Sequence, residues 1–297
     1  MGEFRSGFVS LIGRPNVGKS TLLNRLVGEK IAIISSKPQT TRNNVLGILT
    51  EEELQIVFTD TPGIHAPTTK LGEFMVRSAE TAMRDVDAVL FLIEPVANVG
   101  NIEEKILKEL EHCESPVILV INKIDTVKRE LLLDVITKYT ERFNFHAVVP
   151  ISAKKDDGVE LLKKELYALI PGGPMFYPED MVTDQPERQL VAETVREKIL
   201  RNLDKEIPHG IAIEVMRMKD KGSVVEIIAN IYCEKASHKG IIIGKNGEML
   251  KKIGRIARED MEKMLGKKVF LELWVKVKED WRNRDSLIRN FGYDTRE

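Results

Sequence analysis

The segment Gly13-Arg14-Pro15-Asn16-Val17-Gly18-Lys19-Ser20 has the spacing G-x-x-x-x-G-K-[ST], and its flanks limit the fold more than any other part of the chain. Before it, Phe8–Ile12 reads as a short apolar strand. After it, Lys19–Val27 has helical spacing, with Leu22, Leu23 and Leu26 facing inward. Strand, glycine turn and helix in that order form a phosphate cradle: the glycines let backbone N–H groups turn toward the anion, and the helix N-terminus adds partial positive charge. Lys19 is placed to reach β- and γ-phosphate oxygens, the Ser20 hydroxyl to ligate Mg²⁺, and Thr21 completes the nucleotide-contacting set. Four more apolar runs follow at Leu54–Phe58, Ala88–Ile93, Val117–Ile121 and Ala147–Ile151, with helical patterns near 74–84, 102–111 and 130–143. Runs without alternation indicate strands covered on both faces. The expectation is a doubly wound α/β domain, a mostly parallel sheet with helices on both faces.

Length places a second domain behind the first, since 297 residues exceed what one ordinary core takes up. A last helix, Gly158–Leu169, stops at Pro171-Gly172-Gly173-Pro174, which cannot continue it. The expected division is 1–172, a linker over 173–188, and a second domain over 189–297. That part reads α-β-β-α-β: Glu187–Leu203, Ile211–Met218, Ser223–Cys233, an apolar approach, a basic helix over Glu248–Leu265, and Val269–Val277. Charge separates the two parts. Residues 1–173 carry 21 Lys+Arg against 24 Asp+Glu, whereas Lys235–Asn290 carries 15 against 8, which points to an anionic partner for the C-terminal part. Cys113 and Cys233 cannot form a disulfide framework, no apolar run is long enough to span a bilayer, and the N-terminus offers no signal peptide. A reducing cytoplasm is expected. The five His residues are scattered and give metal catalysis no support; His65 is expected at the surface.

Three further motifs follow strands. Asp60-Thr61-Pro62-Gly63 is suited to hold Mg²⁺ through a water at Asp60 and to contact the γ-phosphate through the Gly63 N–H. Asn122-Lys123-Ile124-Asp125 puts a carboxylate where it can accept from guanine N1–H and the exocyclic amine. Adenine lacks N1–H and would leave Asp125 unpaired. Ser152-Ala153-Lys154 could present the Ala153 N–H to guanine O6. A P-loop ATPase would lack this base chemistry, and a purely structural RNA-binding protein would not need intact motifs.

The phosphate loop, then Lys37-Pro38-Gln39-Thr40-Thr41-Arg42, then Asp60–Gly63 with Ile64, resembles the Era GTPases over nearly the whole chain. The resemblance implies a P-loop GTPase domain followed by an α+β type II KH domain. It implies that Lys19, Thr41, Asp60 and Gly63 serve hydrolysis, with Thr41 as a Mg²⁺ ligand, and that GTP is turned over to GDP slowly. Ile64 stands where Ras-like proteins keep a water-orienting glutamine, and an aliphatic side chain cannot orient water. It also implies a role for Asn16 in binding K⁺, the alternative being that Asn16 only stabilises its own loop. The implied partners are the 3′ end of 16S ribosomal RNA and the 30S subunit, for a monomer of the cytoplasm that also associates peripherally with the membrane. A membrane-peripheral switch whose RNA tethering serves cell-cycle or metabolic control is the alternative.

Ile243-Gly244-Lys245-Asn246-Gly247 carries the Gly-x-x-Gly of KH domains, a turn between helices that lets a phosphodiester approach the backbone. Lys245, Lys251, Lys252, Arg255 and Arg258 can neutralise phosphates there. Trp274 and Trp281 could stack on bases, but Trp274 lies in an apolar strand and is expected in the core. The Phe291-Gly292-Tyr293 tail is expected on the surface of the second domain.

Overall fold

A computed structural model describes residues 3–64, 66–204 and 207–293; His65 lies outside them. The chain divides into two compact units. One comprises Met1–Ile34, Thr41–Pro67 and Met75–Asp184; the other comprises Ser35–Thr40, Thr68–Phe74 and the chain from Gln185 onward.

The first unit is built on β1 (Arg5–Ile12), α1 (Lys19–Val27), β2 (Val45–Glu51), β3 (Leu54–Asp60), the part of α2 (Lys70–Thr81) from Met75 onward, β4 (Ala88–Ile93), α3 (Asn101–Leu110), β5 (Val117–Ile121), α4 (Leu131–Thr140), β6 (Ala147–Pro150) and α5 (Val159–Leu169). The sheet order is β2-β3-β1-β4-β5-β6, parallel throughout except for β2, which runs antiparallel to β3. Successive residues of one strand go to opposite layers, as the strand period requires. Leu90 and Leu92 pack with α1 and α5, while Val89, Phe91 and Ile93 pack with α2, α3 and α4. All six residues of β4 are buried, which is why the run reads as apolar without alternation.

Strand β2 went unread in the sequence because Gly47 interrupts its apolar run. A Cβ there would stand 2.6 Å from Leu23 Cδ1 and 2.7 Å from Ile31 Cδ1, so the gap lets α1 lie against the sheet. Residues 173–184, read as part of a linker, run along this unit. The Ile48 N–H donates to Val182 O at 2.9 Å, the Thr183 hydroxyl to Leu46 O at 2.7 Å, and the Phe176 N–H to Gln55 Oε1 at 2.7 Å.

In the second unit, α6 (Glu187–Asn202), β7 (Ala212–Asp220), β8 (Val224–Cys233), α7 (Ala236–Ile243), α8 (Glu248–Leu265), β9 (Lys268–Val277) and α9 (Asp285–Asn290) surround a three-stranded sheet of order β7-β8-β9. Val191, Val195 and Ile199 of α6, Ile242 of α7, and Ile253, Ala257 and Met261 of α8 cover one face of it. The expected α-β-β-α-β order is therefore two helices short, lacking α7 and the C-terminal α9. The stretch read as an apolar approach is α7, disguised by three consecutive isoleucines and Gly240, all poor helix formers. The expected core position of Trp274 is also wrong. It is 55% exposed, with its indole N–H on Glu272 Oε1 at 2.6 Å, because β9 is an edge strand covered on one face only. Trp281 is the buried indole, donating to Gly210 O at 2.9 Å and packed against Phe291 and Tyr293 of the C-terminal tail. No described helix is long and apolar enough to cross a membrane.

Candidate active site and nucleic-acid interface

Gly13 leaves β1 with φ +148°, and any Cβ there would strike the carbonyl oxygen of Leu92. Asn16 and Gly18 also take positive φ, 67° and 104°, and a Cβ on Gly18 would strike the side-chain amide of Asn122. The loop is thus bent by glycines against two neighbouring strand ends before α1 begins. Lys19, 6% exposed, is folded back on that loop and donates to Gly13 O at 3.0 Å and Arg14 O at 3.2 Å. Burial pushes its ammonium down to about 8, against the pull of the Asp60 carboxylate. A polyanion entering the loop would restore that charge.

Ser20, Thr41 and Asp60 converge. The Ser20 hydroxyl donates to Asp60 Oδ2 at 2.6 Å and lies 2.9 Å from Thr41 Oγ1, which donates to the same carboxylate oxygen at 3.2 Å. Asp60 Oδ1 is buried with no hydrogen-bond partner. Burial raises the Asp60 carboxyl above its ordinary range, opposed by Lys19 and by the hydrogen bonds of Ser20 and Thr41. Two hydroxyls and a carboxylate with an unsatisfied oxygen are a hard-oxygen donor set, which fits Mg²⁺. Beyond Asp60, the Thr61 hydroxyl donates to Leu11 O at 2.8 Å. A Cβ on Gly63 would lie 2.6 Å from the Pro15 backbone, so this turn and the phosphate loop are in close approach. The Ile64 N–H reaches Gly13 O at 3.2 Å, while its side chain is buried in the core and presents no polar group.

Asn122 holds two loops at once. Its Nδ2 donates to Val17 O at 2.7 Å and its Oδ1 accepts from the Ala153 N–H at 3.0 Å. The N–H expected on guanine O6 is therefore already engaged with Asn122. Lys123, at φ 65°, extends back to donate to Asn16 O at 2.7 Å. Asp125 is exposed, and the Ser152 hydroxyl donates to its Oδ1 at 2.7 Å, the leading cause of a carboxyl held below its usual range. One carboxylate oxygen is thereby oriented. Ile124 packs against the apolar core, and Lys154 is exposed.

In the second unit, Ile243 ends α7 and Gly244 turns with φ 75°; a Cβ there would stand 2.7 Å from that of Met249. Asn246 and Gly247 are left-handed as well, and Gly247 caps α8. Lys245 and Asn246 are exposed at the turn. Beside it, Leu250, Lys251 and Arg255 of α8 face Leu271 and Leu273 of β9 across a groove of about 760 Å³. Its floor is apolar and its rim basic; Lys252 also lines it, and Arg258 is tied to Glu262 at 2.8 Å. Unpaired bases need such a floor, and a phosphodiester chain needs such a rim.

Residues 8–123 match a family model described as a 50S ribosome-binding GTPase, and residues 206–282 match the KH domain. GTPase Era of Ruminiclostridium cellulolyticum is 53% identical over 294 residues, 99% of each chain. The chain belongs to the Era family of GTPases. Another Era, that of Clostridioides difficile, is 52% identical over 98% of this chain and 99% of its own. Among solved structures, Era in complex with MgGDPNP and nucleotides 1506–1542 of 16S ribosomal RNA superposes with a TM-score of 0.95. It is 41% identical and covers 98% of this chain and 99% of its own. A single-residue variant of Aquifex aeolicus Era bound to GDP·AlF4⁻ superposes at 0.93 with 40% identity, covering the same shares.

As an Era GTPase the chain hydrolyses GTP, with a P-loop GTPase domain ahead of a KH domain. Several contacts that join these loops carry no motif signal. Arg25, on α1, approaches Ala153 O at 3.4 Å and Asp156 at 3.5 Å. Glu94 and Glu103 hold Arg14. The sequence spaces these groups tens of residues apart, and only the strand order brings them together.

Proposed function

We propose that this chain is a GTP-driven switch that holds the single-stranded 3′ end region of 16S ribosomal RNA during 30S subunit assembly. In this reading residues 1–172 are the GTPase domain, 173–188 the linker and 189–297 the RNA-binding domain. The observation that carries it is one strand-end platform uniting Lys19, Ser20, Thr41 and Asp60 with Asn122 and the Ser152-oriented Asp125, in a chain that also has the basic-rimmed groove. The relative whose structure contains MgGDPNP and the 16S ribosomal RNA fragment supports the choice of ligand.

The nucleotide site comprises the loop from Gly13 to Thr21, the turn from Asp60 to Ile64, the turn from Asn122 to Asp125, and Ser152 to Lys154. Lys19 and the loop N–H groups hold the β- and γ-phosphates, and Gly63 contacts the γ-phosphate. Ser20 and Thr41 ligate Mg²⁺ directly and Asp60 does so through a water; the ion, when bound, neutralises charge developing on the phosphate oxygens. Asp125 accepts from the guanine edge. Ile243–Gly247 with Lys251, Lys252 and Arg255 receives the RNA backbone. Because Ile64 is buried and aliphatic, the attacking water lacks a side-chain orienter and unaided hydrolysis is slow. Asn16 would supply a ligand for K⁺, and the ion would then offset charge in the transition state as an arginine finger does. Rates in KCl and NaCl at equal ionic strength should differ, with Asn16→Ala erasing the difference; equal wild-type rates would remove K⁺ from the mechanism. The protein is read as a cytoplasmic monomer. Peripheral attachment to the inner membrane belongs to the same reading, and flotation with anionic vesicles checks it.

The central test measures affinity for a 3′-terminal 16S RNA oligonucleotide with GDPNP and with GDP bound. GDPNP should tighten RNA binding, and the RNA must then tighten GDPNP binding by the same factor. Equal RNA affinity in both states would reduce the chain to two uncoupled modules.

A further inference from the structure

Glu94 follows β4 directly, and β4 lies between β1 and β5 in the sheet. That topology puts its side chain between the loop leaving β1 and the turn leaving β5. Its Oε2 pairs with Arg14 Nη2 and its Oε1 with Lys123 Nζ, one oxygen to each loop. Both bridged cations have a second anchor. Arg14 Nε lies 3.3 Å from Glu103 Oε1, a nearly buried carboxylate on α3, and Lys123 Nζ donates to Asn16 O at 2.7 Å. The result is a chain of contacts, α3 to phosphate loop to β4 end to base-recognition turn, closed back onto the phosphate loop. Partial burial works against the Glu94 anion, yet Lys123 and then Arg14 hold its carboxyl below the usual range, so it stays charged.

The two loops it joins are each bent at a non-glycine residue in the left-handed region, Asn16 at φ 67° and Lys123 at φ 65°. Such conformations persist only where surrounding contacts hold them. We infer that Glu94 is a positioning residue for the nucleotide site, clasping the phosphate loop to the base-recognition turn and so setting how long guanine nucleotide stays bound. This rests on reading those two loops as the nucleotide site. Electrostatics alone makes the opposite demand. A carboxylate beside a site for a polyphosphate repels it, so removing the charge without loss of positioning would tighten binding. The sign of the effect therefore decides.

The experiment follows dissociation of fluorescent mant-GDP and mant-GDPNP from the full chain. Glu94→Gln keeps the shape and removes the charge. It should raise both off-rates about tenfold, the reverse of what losing a repelling charge alone would do. Arg14→Met cuts the same bridge from its other end and should raise the off-rate comparably, and adding Glu94→Gln to it should contribute less than twofold more. If Glu94→Gln folds poorly, as judged by the melting of the nucleotide-free protein, Glu94→Ala serves instead, since it removes the same charge and both bridges. Unchanged or slower release in Glu94→Gln, or full additivity of the two substitutions, overturns the clasp. Failure of wild-type protein to retain mant-GDP would instead overturn the underlying site.

Discussion

The chain carries two glycine turns that deliver a helix N-terminus, one ahead of α1 and one ahead of α8, and they are made differently. Gly13 and Gly18 have backbone positive φ and also no room for a Cβ, being pressed against Leu92 O and the Asn122 amide. Gly247 has positive φ but open space around it, with exposed Lys245 and Asn246 beside it. The first turn is enclosed by neighbouring loops; the second is crowded at Gly244 by Met249 of the helix that follows and open at Gly247. Enclosure suits a compact terminal phosphate that must be discriminated and processed, since buried donors left unpaired are costly. Openness suits a long polyanion that must be caught by charge and let go.

The largest effect should come from the enclosed turn. Gly18→Ala adds both strain and collision, and should lower GDP affinity about a thousandfold, roughly 4 kcal/mol. Calorimetric titration checks it, and a loss under tenfold would mean the two turns are not differently built. Asp125→Asn comes next. It should weaken GTP binding about a hundredfold and shift preference toward xanthine nucleotides, whose C2 oxygen meets the new amide donor. Competition between GTP and XTP reads this directly, and unchanged preference would remove Asp125 from the base site.

At the open turn the changes should be smaller and salt-dependent. Lys245→Asp with Asn246→Asp should weaken RNA binding about tenfold to thirtyfold and lower the slope of log affinity against log salt by about 1. Loss of RNA affinity without any change in salt slope would argue against phosphate contact. The smallest effect is expected for Gly247→Ala, about 1 kcal/mol of backbone strain and less than a threefold change in RNA affinity. A loss as large as that of Gly18→Ala would erase the contrast.

The same contrast governs what could be read in advance. Phosphate loop, metal-side turn and base-side turn were legible because each is a short run whose spacing alone places the groups; Thr41 was implied only by the family resemblance, and its hydroxyl lies 2.9 Å from that of Ser20 and 3.2 Å from Asp60 Oδ2. Glu94 was not, because its partners lie 80 and 29 residues away and meet only through the strand order. The Trp274 error was avoidable. Glu272 and Lys276 share its parity along β9, whereas Val269, Leu271, Leu273 and Val275 share the other, so alternation already marked Trp274 as outward. Helix α7 offered no such signal, since an isoleucine triplet carries strand preference and only packing of Ile242 into the core decides for helix.

The segment through Val182 and Thr183 has a consequence for how this protein avoids its own kind. Strand β2 is the rim of the six-stranded sheet, and its outer backbone groups offer a template on which another molecule's strand could grow. Ile48 and Leu46 spend part of that template on Val182 and Thr183. A GTPase fragment ended at Gly172 would uncover the rim, and one ended at Asp184 would keep it covered. The residues that look like mere tether between two domains thus cap part of the edge on which strand addition would begin.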